Sequence, residues 1–285
     1  MRVLRWLGRG LAGIALLLLL AAAAIWFISW REVSRGHIAL GERLAAPSAA
    51  QMANAERFAH TLGCLGCHGA GLRGDTLFDE RGVATLWAPN LTLVASHASD
   101  QQLAAAIRQG IGTDGRALWA MPSNMFAHLS DGEVASLIAV IRRQPRGGAA
   151  TPPIRLGPIG RFGIAFGQLK SSIDLMEDYR VRAPYDLGPQ FAAGRRLATI
   201  SCTECHGPTL DGGDAVDGRV PPDLTVAGAY DPAQFRRLMR TGHGVTGRDL
   251  GVMAEVARGR FAYFNDGEVS QLYAYLHARA ERMPQ

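Results

Sequence analysis

Apolar positions fall into two patterns along this chain. The first is an unbroken block: from Leu11 to Trp30 no residue carries a charge. As a helix, those 20 residues would measure about 30 Å, the thickness of a bilayer's hydrocarbon core. Arg2, Arg5 and Arg9 precede the block, a bias that keeps the N-terminus cytoplasmic. Trp26 and Trp30 stand where the far interface would lie. Residues 1–30 are therefore expected to form a transmembrane anchor, with a juxtamembrane segment over 31–50. A cleaved signal peptide shares the basic start, and Ala22–Ala24 imitate its cleavage site, although the apolar run continues through Ile25–Ile28. Either way the rest of the chain is expected outside the cytoplasm, in an oxidising compartment.

The second pattern is a helical rhythm that occurs twice. An apolar helix is predicted around Phe58–Leu62 and again around Phe191–Ile200. Further on, Leu103 and Ile107 match Phe235 and Met239 at the i, i+4 spacing of one helix face. Ser99 and Asp231 read as the N-caps of these helices, and Gly110 and Gly242 as their stops. Gly112, Gly115, Arg116 and Leu118 then align without a gap to Gly244, Gly247, Arg248 and Leu250. Each repeat closes with a capping box, Ser130…Glu133 and Asn265…Glu268, ahead of an apolar stripe (Val134, Leu137, Ile138, Ile141; Val269, Leu272, Tyr273, Leu276). The reading is an all-α protein with domains at 51–145 and 184–285. Residues 146–183 form a linker, whose Ile159–Leu169 stretch is apolar but too short to span a membrane. Units of about 100 residues with long glycine-rich loops have thin cores, so a large bound group is expected at the centre of each.

Composition changes this picture little. Hydrophobic residues make up 48% and charged residues 19%, which excludes a disordered chain. The net charge of +5 is spread along the sequence and not clustered, so nucleic-acid binding is not expected.

The candidate chemistry lies in the cysteines. All four fall in two identical motifs, Cys64-Leu65-Gly66-Cys67-His68 and Cys202-Thr203-Glu204-Cys205-His206. Two thiols three positions apart with histidine next suit covalent capture of haem: the thiols add to the vinyl groups and the histidine ligates the iron. Zinc sites usually gather ligands close in sequence, whereas these motifs lie 138 positions apart. A thioredoxin-like pair would need a βαβ surround, and disulfides would leave both histidines unexplained.

The repeat itself nominates the second axial ligand. Met121 maps onto Met253, whereas the nearby Met125 maps onto Ala257 or Arg260. His68 and Met121, and His206 and Met253, are therefore the expected iron ligands, which leaves no open coordination position. Pro89 and Pro222 follow the two histidines, and their carbonyls are candidates to accept the imidazole Nδ1–H; a plain loop role is the alternative. His37, His60, His97, His128, His243 and His277 have no counterpart in the other repeat and read as surface or packing residues.

On CLGCHGAGLRG, APNLT and AMPSNMFAHLSDGE in the first repeat, and CTECHGPTLDGG, PPDLT and GVMAEVARGRFAYFNDGEVSQLYAYL in the second, the chain resembles membrane-anchored dihaem c-type cytochromes built from two class I cytochrome c domains. The second half is similar to cytochrome subunits of periplasmic dehydrogenases. The resemblance implies two covalent haem c groups and no substrate of the chain's own. It implies single-electron transfer to or from redox partners (a dehydrogenase, an oxidase or a quinone-linked complex), with the haem domains on the periplasmic side of a bacterial inner membrane. Two departures stand out: Met253 is followed by Ala254 where Met121 has Pro122, and the closing-helix aromatic is Tyr275 in one repeat but Val140 in the other. A dihaem peroxidase-like oxidoreductase is the enzymatic alternative.

Overall fold

The apolar block folds as one continuous helix, α1 (Arg2–Ser34), in the computed structural model, which describes residues 2–215 and 218–283. Its leucines lie bare along its length, and it is long and apolar enough to cross a membrane, a property shared by signal sequences at this end of a chain. The segment after it is tied down. His37 N–H donates to Gly115 O (2.7 Å), and the Leu40 backbone exchanges two hydrogen bonds with the Gln109 amide.

The first repeat contains α2 (Ala49–Thr61), the single turn α3 (Cys64–Cys67), a hairpin of β1 (Asp75–Glu80) and β2 (Ala84–Ala88), α4 (Leu91–Val94), α5 (Asp100–Gln109), α6 (Ser123–Phe126) and α7 (Asp131–Arg143). Between the repeats lie β3 (Arg155–Leu156), α8 (Pro158–Ala165) and α9 (Ser172–Arg180). The second repeat contains α10 (Ala192–Ser201), α11 (Thr203–His206), α12 (Pro232–Thr241), α13 (Val252–Gly259) and α14 (Asp266–Arg282).

The helix boundaries follow their local chemistry. Ser99 and Asp231 cap α5 and α12 through reciprocal side-chain and backbone bonds, and both helices end at a left-handed glycine, Gly110 (φ 67°) and Gly242 (φ 76°). Both closing helices carry the capping boxes read from sequence. Behind these caps, α2 packs across α7 and α10 across α14. One buried core includes Ala55, Leu62, Leu103, Phe126, Val134 and Leu137. The other includes Leu197, Leu210, Phe235, Leu272, Tyr275 and Leu276.

The fold departs from the sequence reading in two places. It is mainly helical but not purely so, because β1, β2 and β3 form an antiparallel sheet in the order β1-β2-β3. Every residue of β1 is exposed, so no alternation of apolar and polar positions announces the strand. The linker, whose composition reads as a segment packed against the domains, also carries β3, α8 and α9, which that composition does not announce. The buried Asn90 side chain donates to Gly147 O (2.9 Å) and Ala149 O (3.1 Å), pinning the linker's start to the first repeat. Ser171 caps α9 with a capping box, and Ser172 N–H donates to Leu118 O (2.8 Å).

Candidate cofactor site

Each cysteine motif is wound into one tight helical turn. Cys67 N–H donates to Gly63 O (3.0 Å) and His68 N–H to Cys64 O (2.9 Å), while in the second repeat His206 N–H donates to Cys202 O (3.0 Å). Gly63 sits at φ 82° with the Arg260 side chain over its α-carbon, so a side chain there would be both strained and crowded. Immediately after each histidine the chain doubles back: Gly74 N–H reaches His68 O (2.8 Å) and Gly212 N–H reaches His206 O (3.0 Å). Both turns force a leucine into the left-handed region, Leu72 (φ 58°) and Leu210 (φ 68°). Each of these leucines is fully buried, so packing offsets a backbone strain that non-glycine residues rarely bear. Their side-chain chemistry is ordinary, and nothing in the sequence marks them.

The proline carbonyls meet the histidines. His68 Nδ1 lies 2.9 Å from Pro89 O and His206 Nδ1 lies 2.8 Å from Pro222 O. A carbonyl only accepts, so Nδ1 carries the proton and Nε2 keeps its lone pair in the neutral ring. Burial lowers the proton affinity of both rings below the usual histidine value, partly offset by the same carbonyl bonds. Both imidazoles are thus neutral and fixed in one tautomer. The residues after the prolines lock this geometry: Asn90 Oδ1 accepts from Thr92 N–H (3.1 Å), and Asp223 Oδ1 accepts from Thr225 N–H (2.7 Å).

In the first repeat, Cys64, Cys67, His68, Pro89 and Met121 line one cavity of about 390 Å³. Met125 does not line it and is instead fully buried in the core beside Phe126. Met121 follows Ala120, held at φ 67°. Its carbonyl accepts from Ser123 N–H (2.8 Å) and from the hydroxyl of Ser172 (2.7 Å), so the N-terminus of α9 braces the methionine loop. The second methionine is presented differently: Met253 lies inside the first turn of α13, after Gly251 at φ 64°, and packs at the edge of the second core together with Cys202. Proline after Met121 and alanine after Met253 account for the difference, because only the second sequence lets the helix begin before the methionine.

These residues fit a haem. The first cavity has largely apolar walls, with thiols and a neutral imidazole among them. It also contains two buried donors without partners, Trp119 Nε1 and Arg260 Nη2, which is the situation expected where a group with acceptor oxygens belongs. Thiolate chemistry fits less well. Burial pushes Cys64 up to about 12 and Cys202 up to about 11, with Arg260 pulling each partly back down. Burial holds these cysteines as neutral thiols, which disfavours zinc, a metal that takes thiolates. Among the described residues, no three His, Cys, Asp or Glu side chains converge on a common metal position.

The two motifs face each other across a seam. Arg260, next to α13, pairs with Glu204 inside the second cysteine motif (3.1 Å) and reaches Thr61 O at the end of α2 (3.4 Å). Arg260 and Glu204 both line the cavity of the first repeat. The guanidinium lies close enough to lower all four thiols against the dominant effect of burial. Arg57 pairs with Glu268 (2.7 Å), Arg196 with Glu133 (2.5 Å), and the His60 ring stacks on Tyr263 at 4.2 Å. Above the seam, α9 touches both sites, since Tyr179 donates to Thr203 O (2.8 Å). Sequence reading gave Arg260, Glu204, Ser172 and Trp119 no role. The partners of Arg260, Glu204 and Ser172 lie too far away along the chain to leave a local signal, and Trp119 Nε1 has none.

Residues 49–141 match the family described as cytochrome C oxidase, cbb3-type, subunit III, so the chain contains a cytochrome c domain that ends on α7. Over 249 residues the chain is 25% identical to the fructose dehydrogenase cytochrome subunit of Gluconobacter japonicus. That alignment takes in 75% of this chain and 50% of the relative, so the chain spans about half the length of that protein.

Proposed function

We propose that this protein is a membrane-tethered dihaem electron carrier, the cytochrome component of a larger redox assembly at the periplasmic face of a bacterial inner membrane. The reading is carried by one observation: a cysteine pair on a helical turn, followed by a histidine whose Nδ1–H is held by a proline carbonyl, is built twice. Haem c bound at both places would supply reversible one-electron ferric–ferrous chemistry. Cys64 and Cys67 are assigned the thioether bonds at one site, and Cys202 and Cys205 those at the other. His68 and His206 would hold the irons through Nε2, and Met121 and Met253 would hold them through their thioethers. Pro89 and Pro222 keep the imidazoles oriented and electron-rich. The apolar walls exclude water and favour the reduced, less charged state. A histidine and a methionine at each haem would leave no coordination position open to peroxide, which favours a carrier over a peroxidase-like enzyme. The likeness to a dehydrogenase's cytochrome subunit supports a dehydrogenase or a quinone-linked complex as the partner, with any substrate chemistry done by that partner.

The test is the covalent haem count. Acid-denatured protein matured in a host competent for haem attachment should carry two haems by mass. C64A/C67A and C202A/C205A should each carry one. A wild-type polypeptide with one haem, or none, would overturn the reading.

Arg260 gives a second expectation. A unit charge about 10 Å away, at an effective dielectric near 20, is worth roughly 1.7 kcal/mol, which for one electron is about 70 mV. R260Q should therefore lower both midpoint potentials by tens of millivolts, and E204Q should raise both. Spectroelectrochemical titration reads the two together. A shift confined to one haem would place the guanidinium's influence at a single site.

A further inference from the structure

The linker helix α8 has an apolar face that neither core uses. Ile159, Phe162 and Phe166 are 61%, 50% and 59% exposed, and the two phenylalanine rings pack together at 4.3 Å. Its other side is fixed. Ile159 N–H donates to Gly82 O (2.9 Å), and at Gly160 a Cβ would meet Val83 O at 2.1 Å, so the turn of the β1–β2 hairpin sits hard against the helix.

A third contact decides where this helix lies. α8 packs along the end of α1. Arg161 donates to the hydroxyl of Ser29 (3.0 Å), its guanidinium lies 5.6 Å from the Trp26 ring, and Ser29 is fully buried by the contact. Trp26 and Ser29 belong to the uncharged run Leu11–Trp30. Whatever medium surrounds the last turns of that run must also surround α8. Phe27 and Trp30, 54% and 49% exposed, leave this end of α1 apolar and bare as well.

We propose that α8 is an interfacial membrane helix: its Ile159–Phe162–Phe166 face inserts among phospholipid acyl chains of the outer leaflet, beside the emerging end of α1. The inference rests on the reading of α1 as a membrane anchor. One positive charge in an eight-residue helix whose exposed side carries Ile159 and Phe162, with Phe166 at its C-cap, suits this position. Arg161, with its long stem and its pairing to Ser29 and Trp26, meets the constraint on charge at that depth. Lipid is favoured over a second copy of the chain because α8 packs against the apolar run of the anchor itself. With two attachments the protein cannot spin about α1. The cavity of the first repeat, whose wall includes Val33, is then held at a fixed tilt near the membrane surface.

The test is photolabelling of the full-length haem-loaded protein in phosphatidylcholine–phosphatidylglycerol nanodiscs, using a phospholipid with a diazirine high in its acyl chain. Peptides containing Trp26–Trp30 and Ile159–Phe166 should both be labelled, and the exposed residues of α13 should not. F162S/F166S should lose the label on α8 and keep it on α1. Label on α1 with none on α8 would overturn the inference and leave the anchor standing. Absence from both, with release of the protein by alkaline carbonate, would remove the anchor reading itself. Protection of α8 that persists in detergent and grows with protein concentration would assign the face to a second copy and overturn the lipid assignment.

Discussion

Replacing Met121 by alanine is expected to lower the midpoint potential of one haem by on the order of 0.1–0.3 V, a fraction of the ~0.8 V range that axial ligands span, and to leave the other nearly unchanged. The thioether is a weak donor that favours ferrous iron, so its loss stabilises the oxidised state. Met253→Ala should do the same to the other haem. Met125→Ala is the informative control. Met125 is fully buried and does not line the cavity, so its truncation should cost about 2–4 kcal/mol of stability while both potentials hold. Redox titration followed in the visible spectrum separates these outcomes. If M121A kept its potential and ferric spectrum while M125A lost its own, the ligand assignment in the first repeat would be wrong.

Gly194→Ala should be severely damaging where the helices of the second core cross. α10 crosses α14 so closely there that a Cβ would stand 2.1 Å from Gln271 O and 2.7 Å from Tyr275 Cβ. Neither is a flexible side-chain end, so the helices must separate. Tyr275, which is fully buried and donates to Tyr185 O (2.9 Å), moves with them. Overpacking against backbone costs about 3 kcal/mol, or about 6–12 °C in melting temperature for two repeats that unfold as one unit. Gly259→Ala, where nothing lies within 4 Å, should melt with the wild type. Thermal unfolding followed by far-UV dichroism checks both, and a G194A protein as stable as the wild type would mean that the crossing is looser than described.

Much of the first cavity was legible in the sequence because its parts are local. A cysteine pair and a histidine on one turn, a serine cap at Ser99 and a glycine stop at Gly110 each act within a few residues. The repeat added what locality lacks, separating Met121 from Met125 before any coordinates. What escaped notice shares a different property. β1 is exposed on both faces, so its composition carries no period. The partners of Arg260 are Glu204 and Thr61, 56 and 199 residues away, and those of α9 lie on both repeats. The linker's apolar stretch was visible, but its place could not be read until Arg161 was seen against Ser29 and Trp26.

The two closing-helix glutamates each hold two kinds of partner. Glu133 accepts from the Ser130 backbone (2.8 Å) and from Arg196 of the other repeat. Glu268 accepts from the Asn265 backbone (2.7 Å) and, through both oxygens, from Arg57. Pulling the repeats apart therefore withdraws the arginines from the same carboxylates that start α7 and α14, and fraying either helix start loosens its grip on the opposite half. The protein is built to melt in one cooperative transition, not as two beads on a string.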